Sequence, residues 1–206
     1  MKQRLLTGIA IALLGWVGSA QATPITYTET TTGTGVLNGT PFSNASVTFT
    51  FSGDTSNVAP FDPSCPSCLV NVGLSATVKV AGGGIDTFTD LIGVIGIPVP
   101  LPDFGNRPGV VFVDAAPGTS GLTILMTVSN ALLGYDLASP IGPIPGDNLF
   151  VDKVFSTTSG SFQWTSTPET STFTVTASPV PEPGTMVLVG IGLIGAATRR
   201  WKSRKG

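Results

Sequence analysis

The sequence contains no histidine, only two cysteines and few charged residues, which make up 11% of the chain. Without histidine, the usual Ser-His-Asp and Cys-His catalytic sites cannot form, and the common zinc sites lose a ligand. Residues 23–178 hold three basic and eleven acidic residues, a formal charge of −8. Such a segment repels nucleic acid, because phosphate binding depends on clustered lysine and arginine. We therefore expect no nucleic-acid partner, no cofactor and no resident metal, with calcium as a minor alternative.

The N-terminus has the pattern of a secretion signal. Lys2 and Arg4 precede an apolar run over residues 5–18, and Ala20 and Ala22 supply the small-x-small pattern that signal peptidase accepts. We predict a helical signal peptide over residues 1–22, cleaved after Ala22. An uncleaved anchor is the alternative, but an apolar run of about 14 residues is short for a membrane span, which needs about 20.

Residues 179–206 contain three parts in a fixed order. Pro181, Glu182 and Pro183 come first, and the two prolines favour an extended backbone that does not fold. Residues 186–197 are apolar, uncharged and rich in glycine, which predicts a transmembrane helix. The basic cluster at 199–205 would hold that end on the cytoplasmic side and leave the body on the far side.

This order of motif, helix and basic cluster resembles the PEP-CTERM sorting domain. The resemblance implies recognition of Pro181, Glu182 and Pro183 by an exosortase, a membrane cysteine transpeptidase of Gram-negative bacteria that make extracellular polysaccharide. It also implies that the chain is cut near this motif and the tail discarded. The alternative is a plain tail anchor in which Pro-Glu-Pro is a linker.

The body, residues 23–178, shows repeated alternation of apolar and polar residues and no apolar helical stripe. We predict an all-β domain, an antiparallel β-sandwich of jelly-roll or Ig-like type, flanked by the N-terminal signal helix and the C-terminal transmembrane helix. The dipeptide Asn38-Gly39 predicts a hairpin between the first two strands. Residues 97–108 and 139–146 are rich in proline and are predicted to run over the surface or along an edge. The predicted strands are 25–31, 45–51, 72–80, 91–97, 110–113, 121–128, 149–156, 160–166 and 171–177.

Few side chains of the body suggest chemistry. Cys65 and Cys68 have the spacing of a redox pair, but no βαβ pattern surrounds them, so a disulfide closing a surface turn is favoured in an exported chain. The acidic residues offer carboxylate pairs of the kind a glycosidase uses, although scattered aspartates are usually turn residues. Among these pairs are Asp86 with Asp90 and Asp147 with Asp152.

These observations predict an exported, non-catalytic protein that is structural or adhesive in the cell envelope or an extracellular matrix. Its processing partners would be signal peptidase and exosortase, with extracellular polysaccharide as a further partner. It would begin as a precursor anchored in the inner membrane and end at the cell surface or in the matrix. One alternative is a carbohydrate-binding module that uses exposed aromatic rings, with Trp164, Tyr135 and Phe104 as candidates and Trp164 favoured as a core residue. Another is an enzyme acting on polysaccharide.

Overall fold

Antiparallel strands dominate the computed structural model, which describes residues 22–63, 65–102, 105–115, 123–148, 154–166 and 168–178. Within these ranges the chain also forms 3-10 turns at Thr55–Asn57 and Asn130–Leu132, and no α-helix. The predicted signal helix and transmembrane helix lie outside the described residues. The strands are β1 Pro24–Leu37, β2 Thr40–Asp54, β3 Val58–Asp62, β4 Cys65–Val80, β5 Ile85–Thr87, β6 Ile92–Leu101, β7 Arg107–Asp114, β8 Thr123–Val128, β9 Ile141–Asp147, β10 Val154–Thr157, β11 Gly160–Ser166 and β12 Thr170–Ala177.

The longest pairing is the hairpin of β1 and β2, and its turn confirms the prediction from Asn38-Gly39. Asn38 has φ 52° and Gly39 has φ 78°. Two consecutive positive φ angles define the type I′ turn, whose twist matches that of the flanking strands. The two strands then pair from Leu37 with Thr40 back to Pro24 with Asp54. Pairing with β2 therefore extends from the first to the last residue of β1.

The prediction of a β-sandwich is wrong, because the strands close into one barrel. The pairings run β1, β12, β9, β8, β7, β6, β4 and β2, and β2 then pairs with β1 again, which gives a closed ring of eight antiparallel strands. A sandwich would instead leave free edges on two separate sheets. The ring closes because β1 has partners along both edges, β2 on one side and β12 on the other.

The far half of β1 extends past β12 and takes a different neighbour. Gly35, Val36 and Leu37 pair with β11, and β10 and β11 form a hairpin. This hairpin reaches back to the segment after β5, where Phe88 forms a bridge with Thr157. The barrel therefore has a proximal end, where β1 begins at Pro24, and a distal end at the Asn38-Gly39 turn. We use these two names below.

The strand predictions hold for most of the chain, but both proline-rich stretches were predicted wrongly. The apolar stretches 91–97 and 110–113 are predicted to be central strands buried on both faces, and β6 and β7 confirm this except at Leu91, which precedes β6 and is 43% exposed. The proline-rich stretch 139–146 was expected to avoid ladder pairing, yet it supplies most of β9, which pairs with β12 from Thr170 with Asp147 to Val175 with Ile141. Pro98 and Pro100 likewise lie within β6. Residues 121–122 and 149–153 of two predicted strands lie outside the described residues.

Aromatic rings fill the interior toward the distal end. Phe49 contacts Phe162 edge to face at a centroid distance of 5.3 Å, and Phe162 contacts Trp164 at 5.0 Å. Such pairs add about 0.5–1.5 kcal/mol each beyond the area that they bury. Trp164 Nε1 donates a hydrogen bond to the carbonyl of Ile124 at 3.1 Å. The ring that could have been a surface platform is thus a satisfied core residue.

The segment between β8 and β9 closes the proximal part of the barrel. Leu137 is fully buried with φ 56°, an unusual angle for leucine, and its carbonyl accepts a hydrogen bond from the Tyr27 hydroxyl at 2.6 Å. A Cβ at Gly96 would lie 2.8 Å from Leu137 Cγ. Glycine at position 96 therefore leaves the space that the leucine occupies. Asn71 Nδ2 donates to the same tyrosine hydroxyl at 3.0 Å.

Candidate functional site

Both ends of the body leave the barrel side by side. Ile25 pairs with Ala177 across β1 and β12, and the Ser178 amide donates to the Pro24 carbonyl at 3.0 Å. The predicted signal cleavage site and the sorting tail therefore attach at the proximal end. Since β1 has 14 residues, the distal end lies about 40 Å away.

A polar cluster around Asp86 joins three segments of the distal end. Asn38 Nδ2 of the β1–β2 turn donates to Asp86 Oδ2 at 2.6 Å, and Thr158 Oγ1 of the β10–β11 turn donates to Oδ1. The backbone amides of Thr87 and Ser159 donate to the same carboxylate at 2.8 and 3.2 Å. Both polar atoms of the Asn38 carboxamide are bonded, because its oxygen accepts from Thr157 Oγ1 at 2.8 Å.

These hydrogen bonds decide the charge state of Asp86. Burial by itself would raise the pKa of Asp86, but the donors, led by Thr158 and Asn38, outweigh it and hold the pKa well below its usual range. A saturated carboxylate of this kind is a poor proton acceptor. Asp90 does not belong to this cluster, since its Oδ2 accepts a hydrogen bond from the Ser156 amide at 2.7 Å. The Asp86 cluster is best explained as a structural lock.

Beside this lock lies an open groove of about 350 Å³. Its walls come from the β1–β2 turn and the segment from β4 to β5, and none of the described residues that line it is charged. Ile85 is 66% exposed at its rim, and Phe42 is half-buried. The lining residues are Leu37, Asn38, Thr40, Pro41, Phe42, Val80, Ala81, Gly82, Gly83, Gly84 and Ile85.

The ring of Phe42 is held firmly in the groove wall. It stacks on Phe162 at a centroid distance of 6.2 Å and meets Trp164 edge to face at 6.1 Å. A Cβ at Gly35 would lie 2.6 Å from Phe42 Cζ, so glycine there lets the ring settle against the backbone of β1. Sequence analysis missed Phe42. The signal that could have found it is its place just after the hairpin turn, where the inward alternation of β2 has not yet begun.

A second buried polar cluster lies inside the barrel. Glu29 on β1 is fully buried, and Thr127 Oγ1 of β8 donates a hydrogen bond to its Oε1. Ser171 Oγ of β12 lies 2.6 Å from the same hydroxyl. Burial raises the pKa of Glu29 to about 8, and the hydrogen bonds from Thr127 and Ser171 oppose this only in part. Glu29 is therefore neutral at pH 7.

The structure places the remaining predicted residues as follows. Cys65 and Cys68 form a disulfide where β3 turns into β4, with their Cα atoms 5.3 Å apart. Asp147 forms an exposed ion pair with Arg107 at 2.7 Å, and its proposed partner Asp152 lies outside the described residues. Tyr135 is buried and donates to the Ser139 carbonyl at 3.0 Å. Trp164 and Tyr135 therefore offer no exposed stacking face, and Phe104 lies outside the described residues.

The residues predicted to be recognised during processing lie at or beyond the edges of the described ranges. Ala22 is the first described residue and is exposed, whereas Ala20 and the motif Pro181, Glu182 and Pro183 lie outside the described residues. Within the described ranges, no helix has the length and apolar character of a membrane span. Those ranges also contain no group of three His, Cys, Asp or Glu side chains arranged to hold a metal ion.

The fold and its distal groove define a small acidic barrel protein, and comparison adds the family of its tail. The model of the PEP-CTERM protein-sorting motif matches residues 179–202. The chain thus carries a PEP-CTERM sorting motif in its C-terminal tail, and the match does not extend to residues 23–178. No match is found among curated proteins or solved structures.

Proposed function

We propose that this protein is exported, processed at both ends, and displayed at the cell surface or in the extracellular matrix as a non-catalytic structural or adhesive component. The observation that carries the proposal is the sorting motif at residues 179–202. The hydrogen bond between Ser178 and Pro24 supports it, because processing at either end then leaves a short stub at one pole of the barrel. The opposite pole stays free for contact.

Mass spectrometry of the protein from its producing cells tests this proposal. The mature form should begin at Thr23 and end near Pro181, Glu182 and Pro183, with or without an added group. The variant Glu182→Ala should accumulate as a membrane-bound precursor that keeps its basic tail. The exposed Pro60 of β3 provides a control, since Pro60→Ala should be processed normally. A mature wild-type protein that retains residues 184–206 would show that the tail is a plain anchor.

A further inference from the structure

We propose that the distal groove beside the Asp86 cluster binds a neutral saccharide chain, with the Phe42 ring as its stacking platform. The proposal rests on the proposed function in one respect only, namely that display at the cell surface brings the distal end to such a chain. The groove itself depends on the fold of residues 22–178 and not on how the tail is processed.

The first argument is the chemistry of the wall. Sugar rings combine apolar C–H faces with hydroxyl edges, so their sites need a rigid apolar face next to hydrogen-bonding groups. Phe42 is braced by Phe162 and Trp164, so no ordering of the ring is needed on binding. The exposed Ile85 extends the apolar face.

The second argument is the bare backbone of the facing wall. A Cβ at Gly82 or Gly84 would meet no atom within 4 Å, so packing does not require glycine at either position. Gly82 has φ 77°, which explains glycine there, but Gly84 has no such angle. Glycine at position 84 keeps peptide groups open to a ligand, as glycine does where a backbone must approach one closely.

The third argument is charge, which decides which class of ligand the groove can bind. Among the described residues, no charged one lines the groove, and residues 23–178 carry a formal charge of −8. A polyanionic chain would be repelled by the body, and a charged peptide would find no partner in the wall. A neutral saccharide meets neither obstacle. Adhesion to a neutral polymer at the end opposite the two processed termini also matches the position of the groove.

The test uses the protein recovered from its producing cells and a panel of neutral hexasaccharides: β-1,4-glucan, β-1,3-glucan, α-1,6-glucan and β-1,4-mannan. Trp164 is the one tryptophan of residues 23–178 and lies 6.1 Å from Phe42, so its fluorescence reports occupancy, with calorimetry as a second measurement. We expect saturable binding of at least one neutral probe, with a Kd between about 10 μM and 1 mM.

Two variants locate the site. Phe42→Ala should weaken binding about tenfold or more by removing the platform. Gly84→Leu should do the same by filling the groove while leaving the core intact, since open space surrounds that position. Leu133→Ala is the control. Leu133 is as exposed as Ile85 of the groove, at 66%, but it belongs to the segment that closes the proximal part of the barrel. It should bind as wild type does.

Four results would overturn the proposal. In the first three, no neutral probe binds at about 5 mM, five times the weakest expected Kd; an anionic oligogalacturonate binds instead; or binding survives Gly84→Leu. In the fourth, the groove holds a peptide or a second copy of the chain. The wild type would then self-associate without binding saccharide, and Gly84→Leu would abolish the self-association. Mass spectrometry of the same preparation reports processing independently. Failure of the saccharide proposal and failure of the sorting proposal are therefore distinguishable.

Discussion

Thr127 Oγ1 donates a hydrogen bond to Glu29 in the interior of the barrel, and this contact joins β8 to β1 across the core. Glu29 Oε2 has no hydrogen-bond partner among the described residues. A half-satisfied buried carboxyl is stable only in its protonated form, because burying the charge would be costly. The barrel therefore carries an internal group whose ionisation opposes folding.

Glu29→Gln should remove a large part of the pH dependence of stability. The folded pKa of Glu29 is raised to about 8, so its contribution is fully present below the unfolded pKa of about 4.3 and is lost as the pH rises toward 8. We expect the wild-type free energy of unfolding to fall by about 3–5 kcal/mol, relative to the variant, between pH 4 and pH 9. Urea denaturation across this range measures it.

Glu169→Gln is the matched control, since Glu169 is exposed and should leave the wild-type pH profile unchanged. If Glu29→Gln and wild type give parallel curves, Glu29 does not carry the pH dependence.

Asp86→Ala should destabilise the distal end. It removes the acceptor of Asn38 Nδ2 and Thr158 Oγ1 as well as two backbone amides, and we expect a loss of about 2–4 kcal/mol at pH 7. Because the folded pKa of Asp86 is depressed, this stability is present above the unfolded pKa and is lost as the pH falls below about 4. The gap between variant and wild type should narrow there.

Asp90→Ala serves as the comparison, since Asp90 accepts from the Ser156 amide in an exposed position, and it should cost less than about 1 kcal/mol. Equal losses of stability in Asp86→Ala and Asp90→Ala would contradict the structural role of the Asp86 cluster.

Gly96 and Leu137 should show strong coupling. Gly96→Ala introduces a Cβ 2.8 Å from Leu137 Cγ and should cost about 1–3 kcal/mol, while Leu137→Ala should cost about 2–5 kcal/mol by leaving a cavity. In the double variant the new methyl group enters the vacated space. We expect its loss to be at least about 1 kcal/mol smaller than the sum of the single losses. Gly84→Ala is the control and should be near neutral, because its new methyl group lies in open space. If the losses of Gly96→Ala and Leu137→Ala simply add in the double variant, the two residues are not in packing contact.

Reduction of the Cys65–Cys68 disulfide should have a modest and local effect. The bridge closes a loop of four residues, so the expected loss of stability is about 1–2 kcal/mol. Adding reductant to the wild type keeps both sulfur atoms in place, which separates the cross-link from the packing of the buried Cys68. Faster proteolysis should be confined to the β3–β4 hairpin. Ser67→Ala in the same loop should resist proteolysis as wild type does, and a global unfolding transition on reduction would contradict a local role.

The aromatic residues show what the alternation of the sequence can predict and what it cannot. Alternation predicts that Trp164 faces the core, and it does. The same alternation gives no reason to single out Phe42, because its ring is placed by Gly35 on β1 and by Phe162 and Trp164 on β11. A site built from neighbouring strands depends on pairing, which no single stretch of sequence contains.

The sequence by itself determined the β class, the hairpin turn at Asn38-Gly39 and the sorting tail, because each depends on local residue order. Closure into a barrel was decided only by tertiary structure. Alternation with period two fixes which face of a strand is buried but not which strands are neighbours. The proline-rich β9 illustrates this, since it pairs well with β12 and meets β8 only where Val128 opposes Asp147. Prolines that cannot donate are tolerated where the ladder is sparse, and only the assembled ring shows where that is.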